Sequence, residues 1–211
     1  MGRITLSSRY PRESGRETVE KLSDPSRIRE GDDLTCVMIP DGATKIDENA
    51  FFKCVGLMSV TIPDCVTDIG EGAFRNCVRL KSIALPNGVP CILQDTFHNC
   101  NSLTDVRIPE SVTRIGDRAF FHCVNLTHIT LPSRVLEIGE AAFFDCARLR
   151  SVTFGQNVKY IGAYAFSHCR TLTDIEFSGT IRQWNAIPKG KNWDFATEKS
   201  IIHCADGDIT K

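Results

Sequence analysis

Residues 114–123, "RIGDRAFFHC", place His122 next to Cys123 behind two phenylalanines. Three kinds of chemistry suit that pair. A histidine beside a thiol can serve as the base for a thiolate nucleophile. Imidazole nitrogen and thiolate sulfur are also common zinc ligands, held at about 2.0–2.3 Å. A thiol with neither duty behaves as a small buried apolar side chain. The choice turns on whether the pair is unique in the chain.

It is not unique. Cys54, Cys77, Cys100, Cys123, Cys146 and Cys169 follow one another at intervals of 23 residues. Each has a leucine three residues later (Leu57, Leu80, Leu103, Leu126, Leu149, Leu172) and a phenylalanine three residues earlier (Phe51, Phe74, Phe97, Phe120, Phe143, Phe166). The cysteine persists while its neighbour changes through Lys53, Asn76, Asn99, His122, Asp145 and His168. Catalysis needs one activated thiol, not a column of them, so the column reads as stacked core thiols. A period of this length is the signature of a solenoid.

Coil spacing tests the other chemistries. Adjacent coils sit about 5 Å apart, so His122 and His168, two coils apart, lie too far from each other to share one zinc. No C-x-x-C pair occurs. Disulfides along the column are marginal, because parallel Cβ vectors about 5 Å apart exceed the preferred ~3.8 Å. Cys36, Cys65, Cys91 and Cys204 lie off the column, and pairing among them stays open. "GEG" at 70–72 is a turn glycine with no phosphate-loop pattern after it. No Ser-His-Asp order or paired-carboxylate spacing stands out. The expectation is a protein with no catalytic residues, no metal and no cofactor.

One unit, "CNSLTDVRIPESVTRIGDRAFFHC", shows what positions the column. Val106 and Ile108 alternate with Asp105 and Arg107, which is strand periodicity. Pro109 ends that strand, since it has no N–H to donate to a ladder. Val112 and Ile115 form a second short extended piece, and Gly116 turns the chain. Ala119, Phe120 and Cys123 fall at i, i+1 and i+4, which predicts one helical or 3₁₀ turn. Phe121 lies outside this pattern. The third coil departs from it: Pro90 enters, Leu93 replaces the turn glycine and Thr96 replaces the alanine, so a local distortion is expected there. After Phe154, Gly155 replaces the proline, and in the last coil Trp184 falls in an isoleucine slot.

These motifs resemble the BspA-like leucine-rich repeat family, with the pattern L-x-x-I-x-I-P-x-x-V-x-x-I-G-x-x-A-F-x-x-C. The resemblance recurs about six and a half times over roughly residues 34–187. It implies a leucine-rich-repeat solenoid, α/β or mainly β, of six to seven coils, with a parallel sheet on the concave face and short strands and turns on the convex side. The Asn ladder of the generic leucine-rich repeat is missing, and the proline takes over the turn. The ending "GTIRQWNAIPKGKNW…IIHCADGDI" is similar to the family's closing segment. The resemblance also implies a bacterial surface or secreted adhesion and interaction protein; an intracellular scaffold of the same fold is the alternative.

Three segments follow. Residues 1–33 are a charged cap or flexible arm, with a capping-box match at "SGRE" (14–17). Residues 34–187 are the solenoid. Residues 188–211 close it, with a strand over 200–205, a turn at Asp206-Gly207 and an edge so blunted. The chain of 211 residues is 42% hydrophobic and carries a formal net charge of −1, which gives no electrostatic reason for nucleic acid or an anionic membrane as partner. Residues 1–33 contain no apolar run of signal-peptide length, and nothing approaches a membrane span, which keeps a cytoplasmic location as the alternative to the surface.

A protein partner, or a glycan, would meet a monomeric solenoid on its concave strands. The outward positions there are Cys36 and Met38, Ser59 and Thr61, Ser82 and Ala84, Asp105 and Arg107, His128 and Thr130, Ser151 and Thr153, and Asp174 and Glu176. Solvated strand residues would look the same, since Thr suits a pleated surface. Charge and histidine concentrate at Asp105, Arg107 and His128. Arg118, on the opposite side, is expected to be a neutral control position.

Overall fold

The computed structural model describes residues 2–4, 19–21, 35–197 and 199–210. The capping box read at 14–17 lies outside them. A short strand of a first sheet recurs in every coil: β2 (Val19–Lys21), β3 (Cys36–Met38), β5 (Ser59–Thr61), β7 (Ser82–Ala84), β9 (Asp105–Arg107), β11 (His128–Thr130), β13 (Ser151–Phe154) and β15 (Asp174–Phe177). A second sheet takes β1 (Gly2–Ile4), β4 (Ala43–Ile46), β6 (Asp68–Ile69), β8 (Cys91–Ile92), β10 (Arg114–Ile115), β12 (Glu137–Ile138) and β14 (Tyr160–Ile161). All of these pairings are parallel, and each residue stands beside its equivalent one coil on: Ile83 by Val106, Ile129 by Val152, Val152 by Ile175. This is the leucine-rich-repeat solenoid.

The core runs through the inside of the coils. The column residues Phe51 to Phe166, Cys54 to Cys169 and Leu57 to Leu172 are all buried, as are the inward strand residues. Successive column phenylalanines stack with ring centroids 5.1–5.6 Å apart, Phe120 between Phe97 at 5.2 Å and Phe143 at 5.1 Å. The proline acts as expected, its carbonyl accepting the turn N–H at Val66, Val112 and Val135.

The third side of each coil differs from the helical turn that the spacing suggests. Bonds of i to i+3 type do recur, from Ala119 N–H to Gly116 O, Phe121 to Arg118 and Cys123 to Phe120. Left-handed residues break them into successive turns, Arg118 at φ 52° and His122 at φ 58°. Alternate N–H groups then point at the next coil: Arg118 donates to Glu140, Phe120 to Ala142 and His122 to Phe144, at 2.7–2.8 Å. The coil is bonded to its neighbour on this side too.

The third coil carries the expected distortion as a gap in the second sheet between β6 and β8. Thr113 N–H donates to Pro90 O at 2.9 Å and Thr67 N–H to Thr44 O at 3.0 Å, but Pro90 has no N–H to offer Thr67. A side chain at Gly116 would meet Leu93 C of the coil before at 2.7 Å, so the slot demands glycine, and Leu93 occupies it in coil three. The bond that Gly116 donates to Ile92 and Gly139 to Ile115 has no counterpart from Leu93 among the described residues.

Trp184 is not in a strand. It lies buried in α1 (Ile181–Ala186), whose N-terminus is closed by a reciprocal capping box between Thr180 and Gln183. The helix lengthens the last coil, so Lys189 bridges to Ile161 and Gly190 takes the turn position. Beyond it β16 (Ile201–Cys204) pairs parallel with β15, and β17 (Gly207–Thr210) returns antiparallel along β16. An antiparallel strand offers no parallel template for a further coil.

Phe120→Ala should cost about 3–5 kcal/mol, the range for emptying a phenylalanine-sized core site. Phe121→Ala should cost less, because that ring is only half-buried. Chemical denaturation of both variants checks this, and equal losses would contradict the inward assignment.

Candidate functional site

The His122–Cys123 pair is split by the backbone. His122 sits at a left-handed position with its side chain outward, Nδ1 2.8 Å from Asp145. Cys123 points inward, is fully buried and donates its S–H to Phe97 O at 3.1 Å. The same bond repeats up the column: Cys77 to Phe51, Cys100 to Phe74, Cys146 to Phe120 and Cys169 to Phe143. Burial pushes the Cys123 thiol up to about 12 and those of Cys77, Cys100 and Cys146 well above their ordinary value. At these four positions no thiolate forms near neutral pH, so they supply no nucleophile.

All ten cysteines are free, the off-column Cys36, Cys65, Cys91 and Cys204 included. A hydroxyl in Cys123→Ser would inherit Phe97 O as its acceptor, so that substitution would leave no buried donor unpaired. Among the described residues no group of three or more His, Cys, Asp or Glu side chains is placed to hold a metal ion.

The strand positions read as a contact surface do share one face. Ser59, Thr61, Ser82, Ala84, Asp105, Arg107, His128, Thr130 and Glu176 are exposed, and Ser151, Thr153 and Asp174 are half-exposed. Val60, Ile83, Val106, Ile129, Val152 and Ile175 between them are buried. Register lines them in two rows: Ser82 beside Asp105 and Ala84 beside Arg107, then Ser151 between His128 and Asp174 and Thr153 between Thr130 and Glu176. The rows are interrupted once, because the ladder of the first sheet stops between β9 and β11. Asp105, Arg107 and His128 therefore border a seam. Asp105 and Arg107 form no ion pair among the described residues, whereas His128 Nδ1 is 3.1 Å from the Thr127 hydroxyl.

Sequence reasoning missed two features. His203 on β16 joins the row ending in Glu176, with Nε2 3.3 Å from Asp174 and Nδ1 3.1 Å from Asp208. A histidine directly after buried Ile202 and five residues before an aspartate was the available signal. The second is a ridge of rings on the turn side. His98 stacks on Phe121 at 4.7 Å, Phe121 on Phe144 at 5.0 Å, and the series continues through His168 to Phe195. Phe121, outside the core pattern, belongs to this second column.

Arg118 is not a neutral position. Its Nε and Nη2 hold the buried Asp95 at 2.9 and 3.1 Å, and His98 Nδ1 approaches the same carboxylate at 2.9 Å. Burial alone would raise the Asp95 carboxyl, but the hydrogen bonds from Arg118 and His98 outweigh it and hold the group below its ordinary value. Burial, with the nearby Arg75 and Arg118, lowers His98 despite its aspartate partner, so the ring gives Asp95 its Nδ1 proton while staying neutral.

Two outcomes follow. Arg118→Glu should destabilise by about 1–3 kcal/mol, because it leaves a buried carboxylate short of its donors; urea unfolding measures it, and a loss near zero would refute the pairing. In the native protein the six column thiols should react with a thiol reagent only on unfolding, while exposed Cys65 reacts first. Mass spectrometry of the modified sites after a timed pulse reads the order.

The chain matches the family described as "BspA type Leucine rich repeat region" over residues 29–146 and 91–187, in six copies. No curated protein matches it. A leucine-rich repeat protein from Bacteroides ovatus is 31% identical with a TM-score of 0.68; the alignment covers 81% of this chain and 42% of that one. The leucine-rich repeat protein of T. pallidum is 29% identical with a TM-score of 0.68, over 87% of this chain and 91% of its own. The pneumococcal vaccine antigen PcpA, 17% identical over 82% of this chain and 57% of its own, with a TM-score of 0.52, shares the fold alone. The chain belongs to the BspA-type leucine-rich repeat family.

Proposed function

We propose that this protein is a non-catalytic binding module that meets a protein partner, or a glycan, with the outward face of its first sheet. One observation carries the reading: two rows of mostly polar side chains stand outward on that face, over strand residues that are all buried. Leucine-rich repeats of this family generally serve as protein-interaction modules. Within the rows Arg107 has the character of a contact residue, a guanidinium without an internal ion-pair partner among the described residues. Charged groups at such a place set specificity and encounter rate more than raw affinity. Membership of the BspA type supports a surface or secreted adhesion role.

A second reading, an intracellular scaffold, draws on the cysteines. All ten are free, and Cys65 is exposed, which suits a reducing compartment. Localising the tagged native protein in its source cells separates the two.

The binding test uses Arg107→Glu combined with His128→Ala. A partner captured by the wild-type chain should bind the double variant at least about tenfold more weakly, a loss of 1.4 kcal/mol or more. Lys159→Glu, exposed at the second sheet, is the control and should bind normally. Loss with Lys159→Glu and not with the double variant would move the contact surface off the first sheet.

A further inference from the structure

We propose that His203 is a proton-operated clamp on the C-terminal hairpin: as an imidazolium it ties β15 to β17 across β16, and on losing its proton it releases one of them. The geometry carries this. Nε2 lies 3.3 Å from Asp174 Oδ1 on β15, and Nδ1 lies 3.1 Å from Asp208 Oδ1 on β17. A carboxylate only accepts. Both ring nitrogens must therefore carry a proton for both bonds to exist, and a neutral ring can keep only one of them.

The charged surroundings agree. From β15 the ring faces Asp174 and Glu176, and from β17 Asp208. Asp206 in the hairpin turn is engaged elsewhere, accepting the Ile181 N–H at the start of α1 at 2.7 Å. Farther along the face β13 offers only Ser151 and Thr153 beside β15. Asp174 is set in place by the Thr173 hydroxyl, which donates to its second oxygen at 2.6 Å. The hydrogen bond to Asp174, with that to Asp208, raises His203 above its ordinary value.

The sign follows from that direction. A histidine raised in the folded state stabilises fully below its unfolded value of about 6.5, and that contribution is lost as pH rises through the folded value. The clamp is closed in mild acid and opens as pH rises through the folded value, above about 6.5. Opening also leaves three carboxylates uncompensated at the end of the first-sheet face. If that face binds as proposed above, the same proton tunes the charge a partner meets there; the clamp itself does not depend on that reading.

The test uses the full chain and no partner. NMR titration of the five histidines should place the His203 midpoint above about 6.5, and Asp174→Asn and Asp208→Asn should each lower it. Hydrogen-exchange protection at Asp208–Thr210, taken relative to β11, should fall roughly two- to five-fold as pH crosses that midpoint, the scale of an exposed ion pair. His203→Gln should show the lower protection at every pH. A midpoint at or below 6.5, one that ignores both asparagine variants, or protection that stays constant through the titration would each overturn the clamp. A partner-binding defect in His203→Gln is read separately, so failure of the binding face leaves these outcomes intact.

Discussion

Everything in this molecule depends on one constraint: no coil can bury its own apolar edge, so each must bond to the next at a fixed register. Backbone hydrogen bonds enforce it on three sides, through the first sheet, the second sheet and the turns where Arg118, Phe120 and His122 donate to Glu140, Ala142 and Phe144. Once the register is set, each inward residue meets its own equivalent. Phenylalanine stacks on phenylalanine, and the thiols from Cys77 to Cys169 each find the carbonyl of a phenylalanine in the coil before. An offset of one residue in any coil would misalign all of these columns together.

The constraint explains what was legible. The columns, the two strands of each coil and the proline turn repeat in sequence because they repeat in space. The turn segment was legible only coarsely, for a physical reason. Apolar residues at i, i+1 and i+4 fit one helical face, but they also fit successive turns broken by left-handed residues. The signal lay in the polar positions, where Asn76, Asn99, His122, Asp145 and His168 are of the types that tolerate that conformation. The changing neighbour of the column cysteine was thus itself a pattern.

Other features were hidden because they lie in aperiodic residues. Trp184 matched an isoleucine slot by counting, yet the five extra residues of α1 put the count out of step; the Thr180–Gln183 capping box was the local sign. The burial of Asp95 could not be read from a position where neighbouring coils carry Gly72 and Arg118. A carboxylate there is tolerable because Arg118 and His98 converge on it from the next coil and from its own. The outward rows on the first sheet were legible from alternation alone. Their extension to His203 was not, since it depends on how the hairpin docks.

The same logic separates the two surface stripes. The rings of the turn-side ridge stack largely on one another, Phe121 and Phe144 within 7° of parallel at 5.0 Å, so their faces are already used in holding coils together. A partner could reach mainly their edges. The first-sheet rows differ: side chains there stand away from the sheet, and Asp105 and Arg107 are committed to no ion pair among the described residues. They also border the seam between β9 and β11, where the ladder stops although the strands remain neighbours. Coil stacking therefore dictates the identity of inward residues and occupies the ridge, while it leaves the outward strand residues of the first sheet unconstrained by the core. A surface that the fold does not need is where specificity can be written without disturbing the register, and the outer face of the first sheet, the contact surface proposed above, meets that condition.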